Sequence, residues 1–190
     1  MAVLMTLEVP GGTTAQYDRA REIVGADSPP GLIVHACAVT DDGLLVADVW
    51  ESVNALDDFV QTHLNPAFAE VQMPDRTVRI SPVHDLIIGT GKEPNSLVLL
   101  EAFGLTGEAY DGIAAKMPSH AGSGETHPSV LTCVAVEPEG IRVAGLWGSE
   151  AEYKEFAASQ LFPAVDNPRH FVLRIWPVHD CLLAQSRTHA

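Results

Sequence analysis

Two residues of one hairpin, His35 and Asp48, have types suited to acid–base chemistry, and Trp50 adds a large ring beside them. Apolar, branched runs at 32–40 and 44–51 read as strands, and Asp41-Asp42-Gly43 between them is a strong hairpin signal. A two-residue turn at Asp42-Gly43 places His35 opposite Trp50. A turn centred on Asp41-Asp42 places it opposite Asp48. Strand side chains alternate, so both registers put the three residues on one face, and only a bulge would break this inference. Aspartate is disfavoured in strands and costly to bury without a partner, which makes His35 the candidate partner of Asp48. An Asp–His pair beside a large ring in an apolar cavity is material for a general base. The competing reading is a satisfied polar pair at a sheet edge, or an aspartate facing water.

Further candidates lie elsewhere in the chain. His84 and His179 each sit in the tetrapeptide Pro-Val-His-Asp, at Pro82–Asp85 and Pro177–Asp180. They read either as the polar wall of a cavity or as imidazoles bonded to backbone near a proline bulge. Glu101 interrupts a strand-like run, Leu-Val-Leu-Leu-Glu-Ala-Phe, and needs a partner or a wet cavity, with Tyr110 or a histidine as the candidate. His120 and His127 flank a Gly-Ser-Gly loop and read as lid residues or a loop end, and His189 reads as tail. The His, Asp and Glu residues are too scattered for a zinc motif, so no metal is expected. Gly89-Thr90-Gly91-Lys92 lacks the length of a P-loop, and no Gly-x-Ser-x-Gly elbow occurs.

The elements that position these residues come in two passes. The stretch Gly-Leu-Leu-Val-Ala-Asp-Val-Trp-Glu-Ser from Gly43 returns without a gap as Gly-Ile-Arg-Val-Ala-Gly-Leu-Trp-Gly-Ser from Gly140. The match continues through Phe59 with Phe156 and Pro66-Ala67 with Pro163-Ala164, which points to a duplicated domain. In the second copy Thr132 stands for His35, Gly145 for Asp48 and Trp147 for Trp50. Chemistry by His35 and Asp48 would therefore make the two halves unequal. The first pass reads as strand 2–9, helix 15–24 capped by Thr13 or Thr14, the hairpin, a helix capped by Ser52 with a kink or stop at Pro66, and strand 77–88. Pro82 requires that last strand to be an edge or to carry a bulge. The second reads as strand 97–103, helix 106–117, hairpin strands 129–136 and 140–148, helix 149–162 and strand 170–184. Each pass is β-α-β-β-α-β, a ferredoxin-like pattern. Domain 1 is then 1–91 and domain 2 is 96–190, joined by an exposed polar linker at 89–95. Such a half leaves one sheet face bare, so the two sheets are expected to pack on each other.

The chain has 190 residues, 46% of them apolar and 19% charged, which is enough to bury a core. Its formal charge of −14 argues against nucleic acid and anionic membranes as partners, and disfavours some negatively charged substrates. Cys37, Cys133 and Cys181 lie far apart in apolar runs, so no disulfide framework is expected and a reducing, cytoplasmic location is the simplest reading. The first residues lack a basic n-region, and no apolar run reaches the roughly 18–20 residues that span a bilayer.

The pattern of Gly-Leu-Ile-Val-His-Ala, Val-Ala-Asp-Val-Trp-Glu-Ser, Phe-Val-Gln-Thr-His-Leu-Asn-Pro-Ala and Ile-Ser-Pro-Val-His-Asp-Leu-Ile resembles the dimeric α+β barrel superfamily. It looks closest to the antibiotic biosynthesis monooxygenase-like proteins, here as a tandem fusion. The resemblance implies an α+β fold in which two ferredoxin-like halves pack sheet-on-sheet as a pseudo-dimeric barrel within one chain. It implies oxidation of an aromatic or polyketide-type substrate by O2 without cofactor. His35 and Asp48 would deprotonate a phenol whose carbanion character then meets O2, with Trp50, His84, Glu101, Trp147 and His179 around the substrate. The superfamily also holds lyases, isomerases and cyclases, and non-catalytic ligand binding is the further alternative. The expected partner is a small hydrophobic or aromatic molecule, and the expected assembly a monomer or weak homodimer.

Overall fold

The computed structural model describes residues 1–120, 126–165 and 171–183. The Gly-Ser-Gly loop after His120, the ends of the last strand at His170 and Ala184, and His189 lie outside the described residues. Among the described residues, no helix is long and apolar enough to cross a membrane.

The elements follow as β1 (Val3–Pro10), α1 (Thr14–Val24), β2 (Leu32–Val39), β3 (Gly43–Trp50), α2 (Val53–Phe59), α3 (Asn65–Glu70) and β4 (Thr77–Ile88). The order then recurs as β5 (Ser96–Phe103), α4 (Gly107–Ala114), β6 (Leu131–Glu137), β7 (Gly140–Trp147), α5 (Glu150–Phe156), α6 (Phe162–Ala164) and β8 (Phe171–Leu183). The strands hydrogen-bond in the order β1-β3-β2-β8-β5-β7-β6-β4 and close into an eight-stranded barrel, so the fold is α+β. Packing divides the chain into two compact units. One is Met1–Ile80 with the chain from His179, and the other is Ser81–Val178. The boundary falls inside β4 and β8, so each of these strands serves both units.

The first unit's core gathers Met5, Leu7, Tyr17, Leu32, Val46, Trp50, Leu56 and Phe68. The second unit's gathers Val98, Met117, Trp147, Tyr153 and Phe156, with a smaller cluster at Tyr110, Val134 and Ile141. Glycine makes the turns possible. A Cβ at Gly43 (φ 154°) would lie 2.2 Å from the Val9 carbonyl oxygen, and one at Gly140 (φ 150°) 2.2 Å from that of Ala102.

Two local expectations change. Pro66 does not stop its helix. A π-helical turn at Val60–Leu64 absorbs the missing N–H, and α3 runs on to Glu70; Ala157–Leu161 does the same before Pro163. The segment 89–95 is exposed at Thr90, Lys92 and Glu93, but its backbone is held. Gly89, Thr90 and Gly91 donate to the carbonyls of Val130, His127 and Ser129, and Asn95 donates to that of Trp147. β4 has a strand on each side and is no edge; the proline is accommodated by a register shift between Val83 and Asp85.

Candidate functional site

Thr13 starts α1 with a capping box, its side chain accepting from the Gln16 amide while the Gln16 side chain accepts from the Thr13 amide. That fixes the helix phase and puts Tyr17 and Arg21, four residues apart, on one face. The hairpin turn, closed by Thr40 donating to the Gly43 carbonyl, sets His35 directly opposite Asp48. A bulge does occur, between Leu32 and Val34, but it lies beyond His35 from the turn. It brings Leu32 opposite Trp50 and leaves the His35–Asp48 pairing intact. β8 supplies Asp180 to the same unit.

These four elements build one row. Asp48 Oδ1 lies 2.7 Å from His35 Nδ1, and His35 Nε2 lies 2.6 Å from the Tyr17 hydroxyl. Tyr17 donates to Asp180 Oδ2 at 2.7 Å, and Arg21 Nε donates to the same oxygen at 3.1 Å. The Asp48 and His35 side chains are only 5% and 14% exposed, which is why each needs the other. Burial pushes the Tyr17 phenol well above its usual range, and the hydrogen bond to Asp180 adds to this, so Tyr17 stays protonated. Burial alone would raise the Asp180 carboxyl. The hydrogen bonds from Tyr17 and Arg21 and the Arg21 charge outweigh it and hold the carboxyl below its usual range. Asp48, His35, Tyr17 and Arg21 wall a cavity of about 60 Å³ whose other lining is mostly apolar, including Met5, Leu7, Val46 and Phe59. Trp50 also lines it, fully buried, and its indole N–H has no hydrogen-bond partner among the described residues.

The second unit keeps half of this arrangement. Tyr110 donates to Asp85 at 3.1 Å, and His84 lies 2.7 Å from Asp111, matching the 2.7 Å contact of His179 with Asp18 in the first unit. Thr132 faces Gly145 across the hairpin and bonds to Ser129. A Cβ at Gly145 would meet Trp147 Nε1 at 2.7 Å, so an aspartate there would displace the indole. This unit's cavity, also about 60 Å³, is lined by Trp147, Tyr153, Phe156, His120 and His127. Burial, then the neighbouring His120, push the His127 imidazole down to about 4, against an upward pull from Asp85. The second cavity therefore carries a neutral histidine at ordinary pH where the first carries a hydrogen-bonded His–Asp pair.

The sequence candidates separate. His35, Asp48, Trp50 and Trp147 line cavities; His84, His179 and Glu101 are not among the described lining residues. His84 and His179 bond to carboxylates on α4 and α1 rather than to backbone. Glu101 is paired not with Tyr110 but with Arg142 at 2.6 Å, with Arg174 at 3.7 Å. Arg142 also approaches Glu137, which bonds Ser81. The residues missed in the sequence are Tyr17, Arg21 and Asp180. A signal was present: Thr13-x-x-x-Tyr17-Asp18 and Thr106-x-x-x-Tyr110-Asp111 share one spacing, as the two Pro-Val-His-Asp tetrapeptides do. Each Tyr-Asp pair meets the Asp and His of one tetrapeptide.

No family model matches the sequence, and no curated protein matches it significantly. Solved structures do match in three dimensions. A protein of Lactobacillus acidophilus NCFM provisionally named a monooxygenase superposes with a TM-score of 0.69 at 13% identity, covering 96% of both chains. One from Fusobacterium nucleatum, named likewise, gives 0.69 at 10% identity over 96% of this chain and 94% of that one. An anthrone oxidase-like protein gives 0.51 at 14% identity, over 96% and 93%. The fold is that of the dimeric α+β barrels. At these identities the dimeric α+β barrel likeness speaks for architecture, and the chemistry has to be argued from the first unit's own residues.

Proposed function

We propose that this chain oxidises a small aromatic or polyketide-type molecule with O2, without metal or flavin, in the first unit's cavity. The observation that carries the reading is the Asp48–His35–Tyr17 row in the wall of an apolar cavity. Asp48 orients the imidazole, and His35 answers a substrate phenol, phenolate or enolate through its other ring nitrogen. That anion has carbanion character at ring carbon and gives electrons to O2. For a phenol going to a quinone, one oxygen atom enters the ring and the other leaves as water. The apolar walls keep bulk water from the anion. A cavity of about 60 Å³ encloses only the reacting end of such a molecule. On the same reading the two passes of β-α-β-β-α-β are tandem ferredoxin-like halves, domains 1–91 and 96–190, forming an intramolecular pseudo-dimer that is monomeric or weakly dimeric. The second half, with Thr132 and Gly145, completes the barrel without the acid–base pair.

The test is oxygen uptake with anthrone and with 1-naphthol as probes, each of which must gain one ring oxygen to become a quinone. Uptake matched by quinone formation is expected, and it should fall by about 10²-fold or more in His35→Ala and Asp48→Asn. A folded protein that consumes no oxygen with any of these sinks the reading. One observation favours a second reading: nothing in the row itself, a histidine, a tyrosine and two carboxylates, is specific to O2. Substrate turnover without oxygen uptake would make the chain a lyase, isomerase or cyclase instead.

A further inference from the structure

The row in the first unit contains more contacts than a neutral histidine can supply with protons. Three contacts join Asp48, His35, Tyr17 and Asp180, at 2.7, 2.6 and 2.7 Å. Distances this short between nitrogen and oxygen, or two oxygens, are those of charge-assisted hydrogen bonds, and each needs one hydrogen. Two ionised carboxylates bring none. Tyr17 brings one, and a neutral imidazole brings one. If the imidazole hydrogen is on Nδ1, the single Tyr17 hydrogen must serve both His35 Nε2 and Asp180. If it is on Nε2, the bare Nδ1 faces an Asp48 lone pair. Either way two lone pairs meet at hydrogen-bond distance. A third proton removes the conflict, and an imidazole holds it more tightly than a carboxylate does.

We propose that Asp48, Tyr17 and Asp180 together hold His35 as an imidazolium, and that the site takes its aromatic ligand as a preformed phenolate or enolate. Charge agrees with the proton count. The His35 and Arg21 cations balance the Asp48 and Asp180 anions, whereas a neutral His35 would leave a net negative charge in a largely buried cluster. The remaining titratable neighbours are solvated or neutral, the Asp18 side chain being 59% exposed. On α1, Asp18 is engaged by His179 of β8, and the Cys37 and Cys181 thiols of β2 and β8 are pushed up to about 12 by burial and stay neutral. Both imidazole nitrogens then carry hydrogen, so a neutral phenol entering the cavity finds no base. An anion finds an N–H donor. Its oxygen takes the Nε2 hydrogen in place of the Tyr17 oxygen, while the Tyr17 hydrogen remains on Asp180. Only hydrogen bonds are exchanged; the ligand's proton has gone to solvent before entry. Tyr17 and Asp180 are thus positioning residues that set the charge of His35. A locally neutral cluster also explains how a chain of formal charge −14 admits an anion at this one place.

The protonation half stands on geometry alone, and the ligand half rests on the function proposed above. Full-length protein labelled with ¹⁵N-histidine separates them, because imidazolium and neutral imidazole nitrogens resonate at different positions. The His35 signal, assigned by its loss in His35→Gln, is expected to be imidazolium at neutral pH. It should become neutral in Tyr17→Phe and in Asp180→Asn, two variants in case one fails to fold. A neutral His35 in the wild type, or one that stays imidazolium in both folded variants, overturns the protonation half. The ligand probe is 4-nitrophenol, whose anion alone absorbs visible light. Its ionisation midpoint is expected to move down by at least one unit when bound, a tenfold preference for the anion, and to recover in Asp180→Asn. Binding as the neutral phenol, or none, overturns the ligand half. Neither readout involves oxygen uptake, so failure here is distinct from failure of the oxidation.

Discussion

Asp48 is a carboxylate in the middle of a buried strand, and its bond to His35 is what makes that position tolerable. Removing one partner has two separable consequences. As a structural pair, Asp48→Asn should cost about 1–3 kcal/mol by unpairing a buried group, with turnover per folded molecule unchanged. As a catalytic pair, His35→Ala and Asp48→Asn should each lower turnover about 10²-fold, with the double variant little worse, because members of one unit are not additive. Melting temperature and turnover measured on the same three proteins decide, and a stability loss alone ends the catalytic claim. His127 in the second unit makes a different expectation, from burial rather than pairing. Its folded value of about 4 lies below the usual 6.5, so the unfolded chain binds the proton first as pH falls. Stability from this residue is complete above pH 6.5 and is lost between there and about 4. Urea denaturation of wild type and His127→Gln at several pH values in that window should show a smaller fall in the variant; equal falls would contradict it. The His35–Asp48 contact was legible in the sequence because turn length and strand alternation are local rules. Tyr17 was not, since a tyrosine on the apolar face of a helix looks like core. Asp180 was not, since its neighbours depend on which strands lie beside β8, a long-range fact.

At the scale of elements, the strands and helix starts were read closely because their determinants are short-range. Ser52 caps its helix as read, Thr13 is the one of two candidate threonines that caps α1, and β4 has the bounds Thr77–Ile88 read from its pattern; Thr106 and Ser149, read as first helical residues, are caps as well. The stop at Pro66 was misread for a physical reason, whereas the second helix, read as 149–162, does run from Glu150 through Ala164. A proline is expected to break a helix, but a π-helical turn before Pro66 and before Pro163 moves the hydrogen-bond ladder and lets the helix pass. Single-sequence patterns carry no direct mark of that extra residue. The glycines give a test of how strictly the elements are fixed. Gly43→Ala and Gly140→Ala each force a side chain into a positive-φ turn and against a carbonyl oxygen 2.2 Å away. Backbone strain alone should cost about 1–3 kcal/mol, and the clash adds to it. Gly112, inside α4 with nothing within 4 Å of an added Cβ, should behave oppositely, with alanine stabilising by about 0.8–1 kcal/mol. Thermal unfolding of the three variants checks both signs at once. A turn variant as stable as wild type would mean that the hairpin register is softer than described.

At the scale of the whole chain, repetition was legible and strand exchange was not. The element order recurs, but the compact units do not coincide with the two passes through it, because β4 and β8 each cross from one unit to the other. A sequence repeat marks where a pattern restarts; it does not say which copy of the last strand completes which sheet. The consequence is that the first unit depends on residues from the far end of the chain. Asp180 bonds to Tyr17 and Arg21, and Leu182 packs on the first unit's core and lines its cavity. A fragment of residues 1–91 lacks all of these. It leaves Tyr17 with a buried hydroxyl short of its acceptor, and leaves β2 an unpaired edge where β8 should lie. Expressed alone, that fragment should show weak hydrogen-exchange protection in β2 and a shallow, poorly cooperative melt, or should self-associate through the open edge. Adding fragment 96–190 should restore a cooperative transition. Tyr17→Phe supplies the control: it should destabilise the mixture more than the isolated fragment, where Asp180 is absent and only the His35 contact is lost. If fragment 1–91 alone is monomeric and melts as cooperatively as the full chain, the first unit does not need β8, and the exchange described for this barrel is wrong.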